Sequence, residues 1–179
     1  MSDRNVVLTG FMGTGKSTVG RALAELLGRE FVDTDQVIED RHGPLPAIFA
    51  EEGEDAFRRY EREVASELAD RRGLVIATGG RLMIDAVNAE RLGATGDVVC
   101  LVASLDTILE RVDVDGAGAT RPLLRGDDVR ARVAALLAER AAAYEAFPQV
   151  PTDGRSPAEL AVAIAEHIGE RRGVERADG

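Results

Sequence analysis

The most constraining stretch of this sequence is the glycine-rich segment GFMGTGKST at residues 10–18. It matches the phosphate-binding pattern G-x-x-x-x-G-K-[ST] at every defined position, beginning at Gly10 and ending at Lys16 and Ser17. A short apolar run at 6–8 precedes it and an amphipathic helix pattern follows it, as this type of loop requires. The segment therefore predicts a strand, a loop and a helix that together bind a nucleoside triphosphate.

The chemistry of phosphate binding accounts for the composition of this loop. Glycines let the backbone wrap closely, so that successive N–H groups point at anionic oxygens, and the start of the helix adds its positive dipole end. We expect Lys16 to reach the β- and γ-phosphates and the Ser17 hydroxyl to bind Mg²⁺. The predicted nucleotide-binding residues of the segment are Gly13, Thr14, Gly15, Lys16, Ser17 and Thr18.

Composition limits the classes of protein that this chain can belong to. Its 179 residues, 45% hydrophobic and 30% charged, are typical of one globular domain, which we place at 1–170 with a disordered tail at 171–179. A net charge of −10 argues against nucleic-acid binding. The single cysteine, Cys100, lies in an apolar run and excludes an internal disulfide. Without a signal peptide or an apolar run of membrane-spanning length, we expect a cytoplasmic protein that binds no membrane.

Two carboxylates follow the second predicted strand, at 30–32. Asp33 and Asp35 alternate along an extended segment, so both side chains can face a site at the carboxyl end of a parallel sheet. One can help to hold Mg²⁺ and the other can accept a hydrogen bond from a substrate hydroxyl. The alternative is a pair of ordinary loop aspartates, but the phosphate-binding loop favours the functional interpretation.

Further along the chain, two motifs are candidates for binding an anionic acceptor. Arg58 and Glu61 are helix neighbours, and an arginine held by a glutamate is suited to grasp a carboxylate. Gly79 and Gly80 end the third predicted strand, at 74–77, where their N–H groups can approach a ligand closely. A surface ion pair and a plain tight turn are the respective alternatives.

The last third of the chain holds a predicted closing loop and one unusual arginine. Glycines and few apolar residues at 113–126 predict a mobile loop, and Arg111, Arg121 and Arg125 lie in or beside it. Such a loop can bring an arginine onto the transferred phosphoryl group and exclude water. Arg140 falls on the apolar stripe of a long helix, so it needs either a structural carboxylate or a bound anion.

Taken together, these segments resemble the shikimate kinase family over nearly the whole chain. The motifs that carry the resemblance, in the family's order, are the glycine-rich loop at 10–18, Asp33-Thr34-Asp35, Phe57-Arg58-Arg59-Tyr60-Glu61, Gly79-Gly80, and Arg121-Pro122-Leu123-Leu124 with Arg140 and Tyr144 downstream. The resemblance implies an α/β fold of the three-layer P-loop NTPase type, with a five-stranded parallel sheet flanked by helices and a mobile lid. It also implies a monomer that transfers the γ-phosphoryl of ATP to the 3-hydroxyl of shikimate.

The same resemblance assigns roles on the donor side of the reaction. It implies that Lys16 and Arg121 stabilise the transferred phosphoryl group. It implies that Ser17 binds Mg²⁺ with Asp33 nearby. Asp35 would bind the hydroxyls of shikimate and assist their deprotonation.

On the acceptor side, the resemblance implies that Arg58, the Gly80 backbone and Arg140 hold the carboxylate of shikimate. Glu61 would orient Arg58. Arg155 falls where the family has an arginine that contacts adenine, which adds it to the nucleotide-binding residues.

The chain departs from the family pattern in two places. Arg81 stands where the family has a third glycine, and an arginine that points into the pocket would change the acceptor; we expect it to point outward. The closing loop is also a few residues longer than is typical. Two alternatives therefore accompany a shikimate kinase: a related kinase for gluconate or a cyclitol, and a nucleotide-binding regulator without catalysis.

Overall fold

A computed structural model describes residues 3–114 and 128–177, with side chains up to residue 112 in the first range and residue 169 in the second. Most of the predicted lid at 113–126 lies outside these residues, as do Arg121 and Arg125. The last helix continues to Ala177, beyond the boundary expected at residue 170. That domain boundary and the disordered tail stay predictions.

Five parallel strands form one sheet in the order β2-β3-β1-β4-β5. The strands are β1 Asn5–Thr9, β2 Glu30–Asp33, β3 Leu74–Ala77, β4 Gly96–Val102 and β5 Gln149–Pro151. The register places Thr9 of β1 beside Cys100 of β4, and Leu8 beside Ala77 of β3. The strand before the glycine-rich loop is therefore the central strand, and the loop leaves the middle of the sheet's carboxyl edge.

Helices cover both faces of the sheet, which confirms the predicted α/β class. They are α1 Lys16–Leu27, α2 Thr34–His42, α3 Leu45–Glu51, α4 Gly53–Ala69, α5 Ala86–Thr95, α6 Leu105–Val114, α7 Val129–Glu145 and α8 Pro157–Ala177, with a 3-10 turn at Leu82–Ile84. None of the helices in the described ranges is long and apolar enough to cross a membrane.

Alternation along the central strand builds the two main layers of the core. Val6 and Leu8 point to one face, where they join a cluster that includes Leu23 of α1 and Ile164 of α8. Val7 points to the other face and joins the cluster contributed largely by α4 and its neighbours. All three strand side chains are fully buried, because a central parallel strand is covered on both sides.

The segment after β2 differs from the extended conformation that was predicted. The strand ends at Asp33 and helix α2 begins at Thr34, so Asp33 is the N-cap and its carboxylate accepts from the Asp35 N–H at 3.1 Å. An aspartate that satisfies a free helix N–H in this way stabilises the turn. The interpretation by strand alternation was thus wrong, although the first helical turn still directs both carboxylates into the same cleft.

A buried asparagine joins the amino-terminal end of the central strand to helix α4. Asn5 donates from Nδ2 to the carbonyl oxygens of Leu68 and Arg71, at 3.2 and 2.9 Å, and its Oδ1 accepts from the Leu74 N–H at 3.0 Å. One side chain thereby makes hydrogen bonds with three backbone groups at and after the end of α4, where the chain leads into β3. Helix α4 carries Arg58 and Glu61, so this contact also anchors part of the site.

We predict that Asn5→Ala lowers the free energy of unfolding by about 2–4 kcal/mol, because it removes three hydrogen bonds, including the one that the buried Leu74 N–H donates to Asn5. Urea denaturation followed by circular dichroism measures the change. Gln36→Ala is the control: its exposed amide donates only to Asp40 within α2, so we expect a change within about 0.5 kcal/mol. Equal losses in both variants would contradict the bridging role of Asn5.

Candidate active site

The glycine-rich loop lies between β1 and α1 in a conformation that only glycine permits at its first position. Gly10 has a φ of +133°, and a Cβ atom there would collide with the carbonyl oxygen of Leu101 on β4. Gly15 has a φ of +93° at the N-cap of α1. The backbone is therefore held against the sheet while its N–H groups stay available at the helix N-terminus.

Side chains of the loop complete this phosphate cradle. The Lys16 ammonium folds back over the loop and donates to the carbonyl oxygens of Gly10 and Phe11, at 2.8 and 2.9 Å. Thr14 is buried, and its hydroxyl donates to the same Phe11 oxygen at 2.7 Å. All six predicted nucleotide-binding residues of the segment line one large cleft: Gly13, Thr14, Gly15, Lys16, Ser17 and Thr18.

Two side chains with oxygen atoms that could bind a metal ion lie together beside the cradle. The Ser17 hydroxyl donates to Asp33 Oδ2 at 2.5 Å, which joins the start of α1 to the end of β2. Hydroxyl and carboxylate oxygens are the ligands that Mg²⁺ accepts, together with phosphate oxygens of a nucleotide. Among the described residues, no group of three or more His, Cys, Asp or Glu side chains could hold a metal ion.

Asp35 lies across the cleft from the cradle, against the end of β3. A Cβ atom at Gly79 would collide with the Asp35 carboxylate, so glycine leaves the space that this carboxylate occupies. The Gly79 N–H donates to the hydroxyl of Thr34 at 2.8 Å and is not directed into the cleft. Gly80 does line the cleft, whereas Gly79 lies behind Asp35.

Glu61 is an acidic side chain in a buried position. It is only 2% exposed and forms a short ion pair with Arg58 Nη1. Burial raises the pKa of Glu61 to about 7, because the charged form loses hydration; Arg58 lowers the pKa and the charge of Asp35 raises it. The ion pair is therefore no ordinary surface contact: Glu61 holds the Arg58 guanidinium at the wall of the cleft.

Arg140 is a buried cation without a carboxylate partner in the part of the chain that the structure describes. It is 5% exposed, lies over the ring of Phe11 at 5.4 Å, and its Nε atom has no hydrogen-bond partner among the described residues. No carboxylate of the described residues lies within ion-pair distance. Tyr144, one turn later, donates to the Gly80 carbonyl at 2.6 Å. Of the two alternatives for Arg140, this arrangement favours a bound anion.

Arg111 is a cleft residue that the sequence placed only in or beside the closing loop. It belongs to α6 and donates to the Gly13 carbonyl at 3.2 Å and to the hydroxyl and carbonyl oxygens of Thr152, at 3.0 and 3.2 Å. The guanidinium thus joins the phosphate cradle to the end of β5. Its spacing of three residues from the buried Ile108 is the signal that could have placed it on the inner face.

Arg155 and Arg81 lie at the rim of the cleft. Arg155 is exposed in the turn before α8, lines the cleft, and donates from Nη2 to the Glu159 carbonyl at 3.5 Å. Arg81 is 43% exposed and its Nη1 lies 2.7 Å from Glu54 Oε1. The positive charge of Arg81 is therefore paired at the mouth of the cleft.

The cleft brings these groups into one site of about 1560 Å³ at the carboxyl ends of the strands. Its floor at one end is the phosphate cradle, with Ser17 and Asp33 beside it. Asp35 and the guanidinium groups of Arg58 and Arg140 also line the cleft. Such a site can hold a triphosphate next to a small molecule that carries both hydroxyls and a carboxylate.

Comparison with known proteins gives one consistent family. The family model for shikimate kinase matches residues 12–169. The shikimate kinase of Symbiobacterium thermophilum is 45% identical over 170 residues, which cover 93% of this chain and 97% of that protein. That of Moorella thermoacetica is 45% identical over 167 residues, covering 92% and 94%. The structure of shikimate kinase from Acinetobacter baumannii in complex with shikimate is 40% identical, with a TM-score of 0.87 and 94% of each chain covered.

We predict that Glu61 makes the stability of the protein fall as pH rises. Its pKa is about 7 in the folded chain against 4.5 for an ordinary glutamate, so the folded state keeps a proton that the unfolded state has lost. The contribution is present in full below pH 4.5 and is lost as pH rises through 7. Between these two pH values, the free energy of unfolding of the wild type should fall by about 3 kcal/mol relative to that of Glu61→Gln.

Urea denaturation of both proteins at several pH values between 4.5 and 8 measures this difference. Arg41 and Glu67 form an exposed ion pair, so Glu67→Gln is the control, and its difference from the wild type should not fall in this window. If the free energy of unfolding of the wild type rose with pH relative to that of Glu61→Gln, the raised pKa of Glu61 would be contradicted.

Proposed function

The chain belongs to the shikimate kinase family, and on that premise we propose which residues carry out each part of the reaction. The protein is a phosphotransferase of aromatic amino acid biosynthesis that transfers the γ-phosphoryl of ATP to the 3-hydroxyl of shikimate, giving 3-phosphoshikimate and ADP. One observation carries the assignment of its acceptor pocket: Arg140 is buried without a carboxylate partner among the described residues, and it lines the same cleft as the phosphate cradle.

ATP is assigned to the end of the cleft that the cradle forms. The N–H groups of residues 13–18 would surround its phosphates, and Lys16 would leave its loop carbonyl partners to neutralise the transferred group. Arg111 would keep the cradle closed through Gly13, and Arg155 would contact the adenine end. Arg121 lies outside the described residues, and its contribution to phosphoryl transfer stays a prediction.

We assign Mg²⁺ to Ser17 and Asp33. The donor set fits this ion, because both residues offer oxygen atoms and already lie 2.5 Å apart next to the cradle. When bound, the ion neutralises phosphate charge. Asp33 is also the N-cap of α2, so the helix start keeps this carboxylate oriented toward Ser17.

Shikimate is assigned to the opposite end. Asp35 would accept hydrogen bonds from its hydroxyls and draw the proton from the attacking oxygen as the bond to phosphorus forms. Arg58, the backbone of Gly80 and Arg140 would hold its carboxylate, since guanidinium groups bind carboxylates in a planar, bidentate manner. Glu61 orients Arg58 from the buried side.

Catalysis by this arrangement depends on position and charge and needs no covalent intermediate. The donor cradle and the acceptor groups line one cleft, which lowers the entropic cost of bringing two substrates together. Lys16 places positive charge where negative charge develops. Closure of the cleft around the substrates would exclude water, which competes with the acceptor hydroxyl for the phosphoryl group.

A coupled assay of ADP release with shikimate, quinate, gluconate or no acceptor tests the proposal. We expect turnover with shikimate far above the other three conditions. A preference for gluconate would favour the related-kinase alternative. No acceptor-dependent turnover would favour the nucleotide-binding regulator. The monomeric state and the cytoplasmic location stay predictions.

We predict different kinetic defects for the two ends of the cleft. Lys16→Ala should lower kcat by about 100-fold or more, because it removes charge stabilisation in the transition state. Arg58→Ala should raise the KM for shikimate by about 10- to 100-fold with a smaller effect on the KM for ATP, because it removes an acceptor contact. Steady-state kinetics with each substrate varied separately measure both. Equal defects toward ATP and shikimate in both variants would refute this division.

A further inference from the structure

A row of alternating charges crosses the mouth of the cleft at its acceptor end. Glu54 Oε1 accepts from Arg58 Nη2 at 3.0 Å and Nε at 3.3 Å, and the same oxygen accepts from Arg81 Nη1 at 2.7 Å. Glu61 lies on the other side, paired with Arg58 Nη1. One carboxylate oxygen of Glu54 is therefore shared by two guanidinium groups.

The hydrogen bonds that Arg58 already makes limit how the carboxylate of a substrate can bind to it. Glu54 covers the edge formed by Nε and Nη2, and Glu61 engages Nη1. A carboxylate that binds Arg58 side-on, through Nε and Nη2, has to replace Glu54. Glu61 is buried, whereas the side chain of Glu54 is 56% exposed, so Glu54 is the group that can leave.

Arg81 can remain hydrogen bonded to Glu54 after Glu54 has moved away from Arg58. The two side chains are already paired, and a second cavity of about 300 Å³ beside the cleft is lined by Glu54, Arg58 and Arg81. This cavity offers space into which the Glu54 carboxylate can turn while it stays hydrogen bonded to Arg81. In the structure, the pKa of Glu54 is lowered first by its hydrogen bond with Arg58 and further by the charges of Arg58 and Arg81.

We propose that Arg81 is a positioning residue for the acceptor: it holds Glu54 away from Arg58, so that the carboxylate of shikimate can take the place of Glu54. Without Arg81, the displaced Glu54 would lose the cation with which it is already paired, and it would repel the incoming carboxylate or remain on Arg58. Arg81 then affects shikimate binding through Glu54 and makes no contact with the substrate. The inference rests on the proposed role of Arg58 as a carboxylate-binding residue.

The first test is Arg81→Ala. We expect the KM for shikimate, and its Kd measured by calorimetry without nucleotide, to rise by about 5- to 20-fold, with kcat and the KM for ATP within about twofold of the wild type. Arg81→Lys should recover most of the affinity, because it retains the charge. Thermal unfolding of each variant shows whether the fold is retained, as expected for an exposed side chain.

The decisive variant combines Arg81→Ala with Glu54→Gln. When Glu54 has no charge, its removal from Arg58 needs no cation, so the double variant should bind shikimate within about threefold of the wild type. A direct contact between Arg81 and shikimate gives a different result: the double variant would then stay as weak as Arg81→Ala, which would overturn the proposal. Unchanged affinity in Arg81→Ala would also overturn it.

Arg62→Ala is the matched control. Arg62 lies one helical turn after Arg58 on α4, lines the same small cavity and pairs with Asp85 at 2.7 Å; among the ion pairs of the described residues it has none with Glu54. We expect unchanged shikimate affinity in this variant. Failure of the proposed function would be a different result, since the wild type itself would then show no shikimate-dependent ADP release.

Discussion

The close approach of the glycine-rich loop to the neighbouring strand is the constraint on which the rest of the site depends. Gly10 leaves no room for a side chain beside the Leu101 carbonyl, so the loop is pressed between the ends of β1 and β4. Lys16 and Thr14 then satisfy loop carbonyls from within. Because the loop is fixed to the centre of the sheet, its position relative to the ends of the other strands is also fixed.

Electrostatic organisation at the acceptor end differs from that at the donor end. The donor end uses backbone N–H groups and one lysine, which suits several phosphate charges. The acceptor end uses guanidinium groups, of which Arg140 is buried on the Phe11 ring and Arg58 is held by buried Glu61. Burial of Glu61 costs stability at neutral pH, and that cost is consistent with a side chain retained to orient Arg58. The chain as a whole is acidic, so these local positive charges are a property of the cleft.

Much of the fold was predictable from local pattern. The apolar run at 6–8 lies in β1, and the predicted strands at 30–32 and 74–77 lie in β2 and β3. The error at Asp33 had a local cause, since a two-residue alternation cannot distinguish a strand end from a helix N-cap. The contacts of Arg111 with the phosphate cradle were not predicted, because its partners Gly13 and Thr152 are distant in the sequence.

By itself, the sequence determined the phosphate-binding loop, the strand and helix order, and the family, because each depends on residue types at short spacing. Tertiary structure alone decided how the charges are shared. Whether Arg140 meets a carboxylate, how deeply Glu61 is buried, and which cation Glu54 pairs with all depend on side chains brought together from separate elements. The physical reason is that electrostatic energies depend on distance and burial in space, and neither quantity is encoded in the local pattern of residues.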